Sequence, residues 1–135
     1  MPIVYRADRA LGCTFVVWDG DLTSRDMQRH LRRLSGDADW PAGPRHLVDG
    51  TTIKTVAMPA PDLLELLYEG TNLVREMRIA AIVRPDFVDA GGVLYKTATH
   101  EFHVATFTDL DAASEYLDLD STAVHAVIDE LRCQL

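Results

Sequence analysis

"LVDGTTIKTVAMPAPDLLELL" runs from Leu47 to Leu67. It reads as an apolar strand, His46–Asp49, that ends in an acid, then a turn, then a helix. Pro59 or Pro61 suits the first helical turn, where the missing N–H has no partner to lose. A second apolar run, "MRIAAIV" (Met77–Val83), follows the helix. It is apolar nearly throughout, as expected of a central strand covered on both faces. Strand, helix, strand in this order is a β-α-β crossover, which points to an α/β protein with parallel strands and right-handed connections.

Upstream, "PIVYRA" (Pro2–Ala7) and "CTFVVW" (Cys13–Trp18) are two strands joined by a short polar turn, an antiparallel hairpin. In "DLTSRDMQRHLRRLSG", Thr23 or Ser24 caps a helix, with Asp26 in its first turn and arginines in its last. Met27, Leu31 and Leu34 mark its core face. "GDADWPAGPR" is loop. Downstream of Val83, "RPD" turns the chain into a helix over Phe87–Ala98. Gly91 and Gly92 weaken that helix by roughly 2 kcal/mol relative to alanines, which points to close packing or a kink. "FHVATF" (Phe102–Phe107) is the last strand. Two helices close the chain: "TDLDAASEYL", capped by Thr108 or Asp109, and "DSTAVHAVIDELRCQL", capped by Asp120 or Ser121. Val124, Val127, Ile128 and Leu131 form an apolar stripe on the second. The expected order is β-β-α-β-α-β-α-β-α-α.

The totals bound the function classes. With 135 residues the chain forms one domain. A formal charge of −8 argues against binding nucleic acid or anionic membranes through bulk electrostatics. No apolar run is long enough to span a bilayer. "MPIVYRADRALG" lacks the pattern of a secretory leader, so the expected address is cytoplasmic. Cys13 and Cys133 lie at opposite ends of the chain, and Cys13 reads as a buried thiol.

The order resembles the STAS domain, the fold of the bacterial anti-sigma-factor antagonists, over roughly Pro2–Leu117. More narrowly, the chain resembles the SpoIIAA-like, or STAS/SEC14-domain, bacterial proteins. "GDLTSRDMQRHLRRL", "WPAGPRHLVDGTTI", "RIAAIVRPD" and "FTDLDAASEYL" carry the resemblance by their order and spacing. It implies a single domain over residues 1–135 with a mixed, mostly parallel sheet of about five strands and flanking helices. The helix over 121–135 is an addition. In the antagonists, a strand ending "D-L/F-S" is followed by "D-S-S-G" at a helix opening, and a serine there is phosphorylated by the partner kinase. Phosphate at a helix N-terminus adds about −1.5 to −2 charges and remakes an interface. Here Asp49 is the strand acid, and Ala57, Met58, Pro59 and Ala60 occupy the place of "D-S-S-G". None has a hydroxyl, so that switch cannot operate there. Thr51, Thr52 and Thr55 belong to the preceding turn.

Other constellations carry little chemistry. Asp49 could act as a base or ligand acid at a strand end, or simply cap a turn. His100 and His103 do not have the spacing of a helical metal pair, and neither a metal nor a cofactor is expected. His46 reads as a satisfied or edge histidine. Arg25, Arg29, Arg32 and Arg33 share one helix face, either paired with local acids or poised for an acidic or phosphate-bearing partner. There is no nucleophile elbow or phosphate loop.

The leading expectation is a non-enzymatic regulatory or protein-interaction module. It would dock an unidentified partner through the Asp49–Asp62 loop with the following helix, and Asp49, Thr51, Thr52 and Thr55 are its candidate partner-binding residues. The alternative is a binder or sensor of a small apolar or amphipathic ligand. Its groove would be lined by Met58, Leu63, Leu67, Phe87, Gly91, Leu94 and Tyr95, with Trp18 and Trp40 at its border. An enzyme ranks third, and a homodimer is compatible with either reading.

Overall fold

The computed structural model describes residues 2–57, 60–73, 76–84 and 104–135. Strand β1 (Ile3–Asp8) pairs antiparallel with β2 (Cys13–Thr23), in the expected hairpin. The turn is held by the Leu11 N–H, which donates to Asp8 Oδ1 at 2.9 Å, and by Gly12 in the left-handed region at φ +62°. Helix α1 (Ser24–Ser35) follows without a loop. Thr23 caps it, accepting from the Asp26 N–H while the Asp26 carboxylate accepts from the Thr23 N–H, so two exposed helix donors are satisfied at once.

Strand β3 spans Arg45–Ala57, helix α2 Ala60–Leu73, strand β4 Arg78–Ile82 and strand β5 Ala105–Phe107. Helix α3 (Leu110–Tyr116) is capped by Asp109, and α4 (Ser121–Arg132) by Asp120. The sheet has five strands in the order β1-β2-β3-β4-β5, with every pair after the first parallel. The expected helix over Phe87–Ala98 lies outside the described residues.

The expected strand at His46–Asp49 is too short, and the segment expected to turn after it is strand instead. Pairing with β4 ends at Asp49 opposite Ile82, but β3 runs on to Ala57. Beside it β2 also runs past Trp18, so that Asp19–Thr23 and Thr52–Ala57 form a two-stranded ribbon. Bulges at Val17/Asp19 and Gly20/Asp21 twist it, with Gly20 at φ +69°, where a side chain would be strained. Ile53 is buried in mid-ribbon while Lys54 beside it is exposed, as adjacent residues of a half-buried strand are. The β-branched residues Thr51, Thr52, Ile53, Thr55 and Val56 favour extended backbone, and the neighbouring strand and the buried Ile53 fix it as strand.

Two cores lie on the two faces of the sheet. On one, α1 and α2 bring Met27 and Leu66 onto Ile3, Val16, Leu22 and Ile53. On the other, α3 and α4 cover Val4, Cys13, Phe15, Val17, Leu47 and Ile82. The apolar stripe of α4 (Val124, Val127, Ile128 and Leu131) is fully committed to this second core. Among the described residues no helix is long and apolar enough to cross a membrane.

Candidate functional site at the Asp49 end of the sheet

Asp49 sits where the sheet narrows from β2-β3-β4 to the β2–β3 ribbon. Strand alternation places it on the same face as Leu47, beneath α4. Its residue is only 2% exposed, so its charge needs partners. Oδ1 accepts from the Thr51 N–H at 3.0 Å and from the Thr51 hydroxyl at 2.7 Å. Oδ2 accepts from the Arg132 guanidinium in an ion pair, and the same Nη2 donates to Thr51 Oγ1 at 3.0 Å. Gly50 suits the close packing here, since a Cβ would lie 3.0 Å from Ile53 Cδ1 and 3.4 Å from the Ile82 carbonyl oxygen, and the Ile53 side chain would have to give way.

The result is a closed clasp. Three donors hold the carboxylate, and the arrangement ties the end of α4 to the end of the sheet. The ion pair with Arg132 favours the charged carboxylate and so weakens it as a base. Sequence reasoning found Asp49 and Thr51 but missed Arg132, 83 residues along the chain from Asp49. Its only local signal is a cation in the last turn of a helix.

The other ribbon threonines are engaged across the strands. Thr52 Oγ1 donates to the Trp18 carbonyl at 3.2 Å, and Thr55 Oγ1 donates to Asp21 Oδ1 at 2.6 Å. Asp49, Thr51, Thr52 and Thr55 therefore lie along one stretch of β3 and not in a turn, but only Asp49 and Thr51 bond each other. The outward side chains of the ribbon are Asp21, Lys54, Thr55 and Ala57.

The groove residues are a different matter. Leu63 and Leu67 lie on α2, where only their backbone is described. Met58, Phe87, Gly91, Leu94 and Tyr95 lie outside the described residues, as do His100 and His103. Of the bordering tryptophans, Trp18 packs on the α1–α2 core, and its buried Nε1 has no acceptor among the described residues. Trp40 Nε1 is in the same position.

Elsewhere, burial silences titratable groups. Desolvation pushes the Cys13 thiol up to about 12, so it is inert as a nucleophile at neutral pH. His46 is neither an edge nor a satisfied residue: it lies on an interior strand, and its buried Nδ1 lacks a partner among the described residues. Desolvation holds His46 down to about 3 and His30 to about 4, so both are neutral. Among the described residues no three His, Cys, Asp or Glu side chains converge as a metal site would require.

No family model matches the chain, and neither does any curated protein. A solved structure does: an uncharacterised protein of the DUF3478 family with a SpoIIAA-like fold, from Shewanella loihica PV-4. The two are 18% identical, with a TM-score of 0.61 over 85% of this chain and 93% of that one. At that identity the likeness is one of fold, and the chain adopts a SpoIIAA-like α/β fold.

Proposed function

We propose that the chain is a non-enzymatic regulatory or protein-interaction module, a single STAS-like unit over residues 1–135, whose docking element is the β2–β3 ribbon. The observation that supports this is the ribbon's second edge. Past Asp49, β3 has left β4 behind, so residues 52–57 have no strand on that side among the described residues. An unpaired edge offers backbone donors and acceptors to an added strand, and outward side chains then select the partner. Here the ribbon is held in shape beforehand by Thr52, Thr55 and the Asp49 clasp, which lowers the ordering cost of docking. The position equivalent to the antagonists' serine has no hydroxyl, so docking here is not switched by phosphate at that point.

The test is a photo-crosslinker placed at Lys54 on the ribbon, with a control at the exposed Glu115 on α3, in the cells of origin. A protein captured at Lys54 but not at Glu115, and displaced by excess unlabelled chain, is the expected result. Identical captures at both positions, or none at Lys54, would overturn the reading. A second reading, the small apolar or amphipathic ligand, draws on the Trp18 indole N–H, a buried donor that a ligand's polar end could satisfy. Excess mass in a native spectrum that vanishes on denaturation would move it ahead.

A further inference from the structure

Helix α1 carries Arg25, Arg29 and Arg32 on its exposed side, and none of the three has an ion-pair or hydrogen-bond partner for its side chain among the described residues. The local acids do not neutralise them: Asp26 is used in the helix cap, and Asp37 accepts from the Tyr5 hydroxyl at 2.6 Å. The three form a local basic stripe, without partners among the described residues, in a chain of net charge −8.

The complementary charges lie on the neighbouring helix. α2 exposes Asp62, Glu65 and Glu69, and Glu65 and Glu69 likewise have no partner among the described residues. The two helices pack side by side on the same face, and Ser24 Oγ comes within 3.4 Å of Asp62 Oδ2, which sets their N-termini level. Each returns the chain between parallel strands, so α1 and α2 run in the same direction. The arginines stand at i, i+4 and i+7, and the acids at i, i+3 and i+7. Both sets span about 10 Å of helix.

We propose that this face is a self-complementary interface on which a second copy of the chain docks. A two-fold axis parallel to the helices, running between them, lays α1 of one copy over α2 of the other with their directions preserved. Arg25 then meets Asp62, Arg29 meets Glu65 and Arg32 meets Glu69, and symmetry repeats the set. Tyr68, 53% exposed beside Glu69, supplies an aromatic contact at the same face. Charge dominates this contact, so the dimer is weak and salt-sensitive, set by screening of exposed pairs. The inference is independent of the ribbon proposal, because it uses a different surface and a different partner.

The experiment is sedimentation velocity on the full chain at low and high salt, with Arg29→Glu and Glu65→Arg each alone and mixed. The wild type should dimerise at low salt, with a dissociation constant raised at least about tenfold at high salt. Each single variant should weaken the dimer by a similar factor. Mixed, the two should form a heterodimer preferentially. In it the acid introduced at position 29 of one copy faces the arginine introduced at position 65 of the other, while the remaining native pair, Arg29 and Glu65, meets across the second half. Both changes are on exposed side chains, so an unchanged thermal melt confirms that the variants fold. A wild type monomeric at all salts overturns the proposal, and retention of that monomer on anionic vesicles would assign the arginines to a lipid surface instead. A dimer indifferent to both variants, or weakened by each without recovery in the mixture, also overturns it.

Discussion

Arg132 is the residue on which the Asp49 end of the sheet turns. Without it, a carboxylate with a side chain only 3% exposed keeps the two donors of Thr51 but loses the counter-charge that Arg132 supplies. Arg132→Ala is therefore expected to lower stability by about 1–3 kcal/mol, measured by urea unfolding. The value falls below that for a fully buried pair because Arg132 itself is 41% exposed and partly screened. In a double-mutant cycle, Asp49→Asn on the Arg132→Ala background should cost less than on the wild type, since the charge to be neutralised has already lost its partner. Equal costs on both backgrounds would mean the clasp is not an energetic unit.

At the scale of elements, α4 is more than an appendage to a STAS-like order. It lays Val124, Val127, Ile128 and Leu131 onto β1 and β2, and all four are buried. Burial of each such side chain is worth about 1.5–3 kcal/mol, so four together approach the whole stability of a small domain. A chain ending at Leu119 is expected to lose cooperative unfolding and to bind a hydrophobic dye, because Phe15 and Val17 would face water. A truncated chain that still melts cooperatively within a few degrees of the full one would show that α4 is dispensable. The capping of α1, by contrast, was readable to within one residue, Thr23 or Ser24, because a hydroxyl just ahead of an acid in the first turn is a local signal, and the structure selects Thr23.

Over the whole molecule, the buried neutral histidines, His30 on α1 and His46 on β3, make stability depend on pH. His30 titrates near 4 and His46 near 3 when folded, against about 6.5 when unfolded. The unfolded chain therefore takes up protons first as pH falls. Their contribution to stability is complete above about pH 6.5 and is lost towards pH 4, at up to about 1.4 kcal/mol per pH unit for each histidine. Urea midpoints measured at pH 7.5, 6 and 5 should fall steadily, and His30→Phe should make the decline shallower. A flat profile would show that the two rings are already accessible to protons in the folded state.

The division between what the sequence determined and what the tertiary structure decided follows the range of the forces involved. Alternation, caps and apolar runs act over a few residues, and they were enough for the hairpin, for α1, α3 and α4, for the parallel crossovers and hence for the mixed sheet. Asp49 was legible as an acid at a strand end that caps nearby N–H groups, and the Thr51 N–H two residues on is one of them. The length of β3 was not legible: Thr51, Thr52, Ile53, Thr55 and Val56 are β-branched strand formers, but their polarity and the glycine before them suggest a turn, and the pairing with Asp19–Thr23 that settles it is not local. Nor was Arg132, which reaches Asp49 through the packing of a helix from the other end of the chain. That Arg25, Arg29 and Arg32 have no opposite charge within reach among the described residues was hidden for the same reason: spacing shows which charges share a face, but only the folded molecule shows which of them meet a partner.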